Sequence, residues 1–462
     1  MKKQSVRIMG ALLSFALLSA AEAKDTSDDP YALQEVSGSR LQEFVVSVSD
    51  IDLILPAFTD VFKWSVKHDG QIDPTVIRLW GLPFGTTGRE VLVGNAASQF
   101  GYVRLVDLDV PVQVLMRPGG RWWDTGGLFN LNLLVKDLDA TEAGLRAIGW
   151  TAPGVQSTYA RGEDVRGKSQ IMIGPDDLVI SFQERQAPPL SGWPEFDGAT
   201  HIETGYQIVS DLEAWYSFYA DALEFRGLGL RERPQTDAIG PNDYGLPNNT
   251  SEGAGYRQAN IMFPAETKQS LGARQWMTAT GFDFEPQIVP PNLGITTLRI
   301  PVPDLDHVLE RLDAAGIPLA QPQHILFLEP YGAVRAVMVK SPGGSGQLIT
   351  LFEPGAKPMT EAELKAFFNP GRFGEWVRFN RLMEGTIHYK AGGNATVTWE
   401  TGLNEDGIWV IKGDAICTSW YRLRDFRELC VQHYNLGTDT TQSFRVGAGP
   451  DGTTKFRAPD TP

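Results

Sequence analysis

Four stretches of the chain repeat one pattern of apolar and polar positions. Each is an alternating apolar run, then an Asp–aliphatic–acid triplet, then apolar residues at helical spacing. They are EFVVSVSDID (Glu43–Asp52), NLNLLVKDLD (Asn130–Asp139), TGYQIVSDLE (Thr204–Glu213) and TLRIPVPDLD (Thr297–Asp306). Alternation with period two predicts a strand with one buried face, and the positions that follow predict an amphipathic helix. Asp50, Asp137, Asp211 and Asp304, separated by 87, 74 and 93 residues, fall where each helix begins. A carboxylate there accepts the otherwise unpaired N–H groups of the first turn. Phe58 and Phe62 mark the apolar face of the first helix, Leu145 and Trp150 the second, Trp215 and Tyr219 the third, Leu309 and Leu312 the fourth. Two or three further alternating runs follow each helix, so each unit is β-α-β-β(-β). Such a unit leaves an apolar sheet face uncovered. Units must therefore pair, which predicts an α+β fold with helices on one side of each paired sheet and a cup on the other.

The repeat stops near Gly355. Thr360 and Glu363 make a capping box for a short helix over Glu361–Phe368. Four alternating runs then predict antiparallel strands: GTIHYK, ATVTWETG, GIWVIKGDAICTSWYRL and ELCVQHYNL. The chain's two cysteines, Cys417 and Cys430, lie on the last two of these runs.

Composition sharpens the picture in three places. A formal net charge of -15 leaves no basic field to hold phosphates, so a nucleic-acid partner is not expected. The 48 glycines and 30 prolines among 462 residues favour many short strands over long helices. At the N-terminus Lys2, Lys3 and Arg7 precede an apolar run from Ile8 to Ala20 and the small-residue site Ala21-Glu22-Ala23. That is the layout of a signal peptide over residues 1–23, cleaved between Ala23 and Lys24, with a linker over 24–38. Export to the periplasm or the medium follows, and with it pairing of Cys417 with Cys430, a cross-link that stabilises by about 3 kcal/mol. No later stretch reaches the roughly 18 apolar residues needed to span a membrane.

The four units resemble the βαβββ modules of the vicinal oxygen chelate superfamily, which includes glyoxalases, extradiol dioxygenases and bleomycin-resistance proteins. The resemblance rests on VSVSDID, LLVKDLD, QIVSDLE and IPVPDLD. It also rests on the module-closing stretches IGPDDLVISFQE (Ile173–Glu184) and KSPGGSGQLITLFEP (Lys340–Pro354), and it covers roughly residues 39–355. Two modules make one domain in that superfamily. This implies tandem domains over 39–187 and 200–355, a linker over 188–199, and a small, mainly antiparallel β domain with one disulfide over 360–462.

Enzymes of the superfamily hold a divalent metal in the cup, with His, Glu or Gln ligands. These lie seven residues before the helix-start Asp and on the closing strand, and they leave positions open for substrate oxygens. Here those positions carry Glu43, Asn130 and Ser181 in the first domain and Thr204, Thr297 and Thr350 in the second. Only Glu43 is a competent ligand, so the resemblance predicts no cofactor. A divalent metal belongs to an alternative: a lyase, isomerase or dioxygenase using displaced ligands drawn from Glu43, His201 and Glu203. The six positions serve better as the lining of a pocket for a small organic molecule. Two insertions bear aromatics that would cover such a pocket or pack against the second domain: Arg117–Phe129, with Trp122 and Trp123, and Arg233–Tyr256, with Tyr244. The expectation is an exported protein that binds a small ligand in cupped sheets, with catalysis left open.

Overall fold

All four repeat aspartates cap a helix. In extended conformation, Asp50 accepts from the Asp52 N–H, Asp137 from Ala140, Asp211 from Ala214 and Asp304 from His307. The computed structural model describes residues 39–161, 164–233, 245–246, 255–279, 281–380, 383–437 and 439–457. The expected signal peptide and the linker over 24–38 lie outside the described residues, as does Tyr244.

The first module comprises β1 (Glu43–Ser47), α1 (Ile51–Pro56), β2 (Ser65–Gln71), α2 (Pro74–Leu79), β3 (Gly88–Gly94) and β4 (Tyr102–Leu108). The second comprises β5 (Leu128–Val135), α3 (Leu138–Ala147), β6 (Ser157–Arg161), β7 (Val165–Ile173) and β8 (Val179–Ala187). In the third come β9 (Thr204–Ile208), α4 (Leu212–Ser217), β10 (Arg226–Arg233), β11 (Tyr256–Met262) and β12 (Ser270–Trp276). The fourth holds β13 (Gly294–Pro301), α5 (Leu305–Ala314), β14 (Leu319–Leu328), β15 (Gly332–Lys340) and β16 (Leu348–Pro354).

Two eight-stranded sheets result among the described residues. Sheet A runs β14-β15-β16-β13-β1-β4-β3-β2 and sheet B runs β10-β11-β12-β9-β5-β8-β7-β6. The sheets thus join the first module to the fourth and the second to the third, where tandem domains would join consecutive modules. The reason lies at the seam. The first strand of every module pairs in parallel with its own module's last strand, leaving one free edge. Any two such edges can meet antiparallel, and here β1 meets β13 and β5 meets β9. Consecutive modules touch through their helix-covered faces instead: Phe62, just beyond α1, packs on Phe182 of β8 with ring centroids 5.4 Å apart. One apolar core consequently draws on all four modules, with Phe58, Phe62, Trp150, Trp215, Tyr219 and Leu312 buried among the helix-covered faces of both sheets.

After α6 (Glu361–Phe368), whose Thr360–Glu363 capping box is formed, the chain builds a closed antiparallel barrel. Its strands are β17 (Arg372–Arg378), β18 (Glu384–Tyr389), β19 (Asn394–Trp399), β20 (Asn404–Lys412), β21 (Ala415–Trp420), β22 (Leu429–Asn435), β23 (Thr440–Arg445) and β24 (Gly449–Phe456). Each pairs with the next, and β24 closes on β17. Pattern reading expects four strands here. The long run from Gly407 is two strands turning at Gly413-Asp414, and Gly413 takes the φ of +60° that glycine tolerates. The Cys417–Cys430 disulfide joins facing residues of β21 and β22. The barrel and sheet A are in contact: the Ile325 N–H donates to Gln442 Oε1 at 2.8 Å, and Phe327 packs edge-on against Phe444. Among the described residues no helix is long and apolar enough to cross a membrane.

Candidate functional site

Because β1 pairs with β13 and β5 with β9, the six sequence-selected positions regroup. Glu43, Thr297 and Thr350 share the cup of sheet A, while Asn130, Ser181 and Thr204 share that of sheet B.

The cup of sheet A is filled. Strand alternation turns Glu43 inward together with Arg104 of β4 and Arg299 of β13, and all three are buried. Arg104 donates to both Glu43 carboxylate oxygens, at 2.8 and 2.6 Å, and to Glu90 at 2.7 Å. Arg299 donates to Glu43 at 2.8 Å. Burial alone would raise the Glu43 carboxyl, but the two guanidiniums outweigh it and hold the group down to about 2. Burial, then the Glu43 charge, pushes the neighbouring Tyr331 hydroxyl well above its ordinary range. The rest of the cup is apolar: α2 lays Val76, Ile77 and Leu79 against Leu326, Val334, Met338 and Phe352. Thr297 and Thr350 are sealed inside, their hydroxyls without partners.

The cup of sheet B is open. A cavity of about 480 Å³ lies against β5, β8, β9, β11 and β12. Asn132, Gln183, Thr204, Gln258, Asn260 and Ser270 line it with amides and hydroxyls. Thr204 is the one sequence-selected pocket position in this lining. Asn130 and Ser181 sit beside it, joined by a 2.6 Å hydrogen bond, and Asn130 Oδ1 accepts from the Tyr206 N–H at 3.2 Å. At one side Arg274 stands among three aromatic rings, 4.1 Å from the centroid of Trp122, 4.2 Å from Tyr206 and 4.4 Å from Tyr256. Its Nε donates to Gln258 at 3.1 Å. Rings on three sides hold a planar cation in one orientation. Trp122 is itself buried, stacked on Phe129, so the Arg117–Phe129 insertion supplies a wall and not a loose cover.

The displaced-ligand candidates do not meet. Glu43 belongs to sheet A. His201 precedes β9 and is wedged between Phe100 and Trp193, its Nε2 2.9 Å from the Thr267 carbonyl. Burial lowers it to about 4, against a weaker opposing effect of that carbonyl. Glu203 lines the sheet B cavity. Among the described residues, the one His/Cys/Asp/Glu trio within common reach of an ion is Cys417, Glu428 and Cys430, whose two sulfurs are already bonded to each other. Nor do the family positions fit a divalent cation. In sheet A two guanidiniums already hold the carboxylate such an ion would need, and in sheet B the three positions are neutral Asn, Ser and Thr.

Four βαβββ modules paired as two cupped sheets resemble the half-barrels of the vicinal oxygen chelate fold. No protein-family model and no curated protein matches the chain. Among solved structures it is similar to glyoxalase I from Zea mays, at 15% identity and a TM-score of 0.44 over 68% of this chain and 92% of that one. A putative dioxygenase from Bacillus subtilis aligns at 8% identity and a TM-score of 0.42 over 68% of this chain and 84% of that one. A glyoxylase/bleomycin resistance protein/dioxygenase domain from Frankia aligns at 18% identity and a TM-score of 0.22, over 33% of this chain and 90% of that one.

Two sets of residues escaped the sequence reading. Arg104 and Arg299 each interrupt an apolar strand, in YVRLVDL and TLRIP, opposite the acids of EFVVS and REVLV. A charge centred in an otherwise buried strand signals a buried partner. Arg274 lies in the mixed run SLGARQW, whose alternation is too weak to assign a face.

Proposed function

We propose that the chain is an exported protein that binds a small polar organic molecule in the cup of sheet B. The observation that carries this is the contrast in filling: sheet A's cup is packed with α2 and an ion network, while sheet B's holds a polar-lined cavity. Its amides and hydroxyls suit a ligand rich in hydroxyl or carbonyl groups, and Arg274 supplies a cation for a carboxylate. The cysteine pair in the barrel supports an oxidising compartment, the periplasm or the medium.

A thermal-shift screen of small hydroxy- and keto-carboxylates against the full chain tests the binding. The reading expects a concentration-dependent rise in Tm that is lost in Arg274→Gln and kept in Thr350→Val. A screen without any shift, or one whose shifts survive Arg274→Gln, counts against it. Mass spectrometry of the protein recovered from the periplasm tests export, with a mature chain beginning at Lys24 expected.

A further inference from the structure

The barrel has an interior of its own, separate from both cups. Along its strands alternate residues turn inward, and they divide it into two halves. At the end where β17 begins, α6 acts as a plug: Leu364 and Phe368 are fully buried with Tyr389, Trp409, Ile416 and Phe456. Toward the other end the barrel encloses a cavity of about 260 Å³. Its wall is mainly apolar and aromatic, with Trp376, Trp399, Trp420, Ile387, Val397 and Val431. An eight-stranded barrel is just wide enough either to fill with side chains or to hold one small ligand, and this one is half filled.

Thr418, Ser443 and Thr454 add hydroxyls to the wall of the cavity, and the remaining polar groups lie toward its two ends. His433 reaches it from β22 and is 2% exposed. Its Nδ1 lies 2.9 Å from Thr441 Oγ1, while its Nε2 has no partner. Burial lowers the imidazole to about 4, so it is neutral near pH 7 and its free nitrogen serves as donor or acceptor according to tautomer. At the open end stand Arg378, Arg424, Arg445 and Asp451. Arg445 is paired with Asp451 at 2.8 Å, and among the described residues Arg378 reaches the Met383 sulfur. Arg424 donates one nitrogen to Thr418 at 3.3 Å and keeps a buried Nη1 without a partner. Glu405, on the same face of β20 as Trp409, is occupied by the Arg422 N–H. The lining therefore carries two net positive charges in a chain whose formal net charge is -15.

We infer that the C-terminal barrel is a second, independent binding site, for a small molecule with an apolar body and a single carboxylate. The body lies among the three tryptophans, the carboxylate faces Arg424 and Arg445, and His433 Nε2 at the closed end is open to a polar substituent on the body where the ligand carries one.

Octanoate is a suitable probe, with octylamine and 1-octanol as charge controls, read by tryptophan fluorescence and calorimetry on the full chain. The expected result is one octanoate per chain, with octylamine and octanol weaker by about tenfold or more. Arg424→Gln should bring octanoate down to the octanol level with the melting curve unchanged. Val431→Trp, which fills the cavity, should abolish binding of all three. If Val431→Trp melts early, Val397→Phe takes up part of the same space more gently and should weaken binding of all three. No heat and no fluorescence change with octanoate at millimolar concentration would overturn the inference. Equal binding of octanoate and octylamine, or binding untouched by Arg424→Gln, would do so as well.

Discussion

The two cups are built from the same module and face opposite problems. In sheet A the one acid among the six positions, Glu43, is buried between two guanidiniums, and a helix inserted between β2 and β3 closes the mouth. In sheet B the equivalent positions are neutral, and among the described residues no such helix lies between β6 and β7. Two copies of one architecture have thus diverged into a structural half and a hollow half. The fold dictates a cup, and the side chains on alternate strand positions decide whether it stays empty.

Charge removal should separate the halves most strongly. Glu43→Ala leaves Arg104 and Arg299 buried without their carboxylate and should cost about 3–5 kcal/mol in urea denaturation, whereas Asn130→Ala in sheet B should cost about 1 kcal/mol. Replacing Glu43, Glu90, Arg104 and Arg299 together by Leu and Met should recover most of that loss. Equal costs for the two single variants would end the distinction. Next, Ile77→Ala removes part of the plug and should destabilise by about 2–5 kcal/mol while admitting solvent to Thr350. Cys417→Ser with Cys430→Ser should cost about 3 kcal/mol and act on the barrel, leaving tryptophan signals from sheet B intact.

Acid should act in two stages. His201 and His433 are buried with lowered values of about 4 against an ordinary 6.5. The unfolded chain takes up those protons first, so their contribution is whole above pH 6.5 and is lost as pH falls toward 4. Glu43 is lowered from 4.5 to about 2, so its contribution is whole above pH 4.5 and is lost between there and pH 2. His201→Phe should flatten the upper limb and Glu43→Gln the lower one. Stability unchanged from pH 7 to pH 4 would contradict the burial of both imidazoles.

Much of this was legible in the chain. The four Asp caps, the helix faces and the closing strands all follow from local chemistry, and local chemistry is what sequence pattern records. Module pairing was not legible, because four free strand edges of similar composition can pair in more than one way. The barrel's last strands were hidden by Gly and Thr: GPDGTTKF has hardly any apolar alternation, yet Gly452, Thr454 and Phe456 form its inner face. Among candidate site residues, Glu43 stood out in the sequence as the one acid at the six positions, read there as a pocket lining or metal ligand, and the structure places it between two arginines. Its partners lie 61 and 256 positions away, so its role as a buried ion-pair centre could be seen only once β1 was placed between β4 and β13.

The most direct test is to ask reagents which cup is hollow. Both native cysteines are in the disulfide, so an introduced thiol reports alone. Ser270→Cys places one in the sheet B cavity and Thr350→Cys places one in the sheet A cup, each nearly isosteric. With a small methanethiosulfonate at neutral pH, the first should be modified at least about a hundredfold faster than the second, whose reaction must wait for local opening. Equal rates, or faster labelling at position 350, would contradict the division into a closed and an open cup.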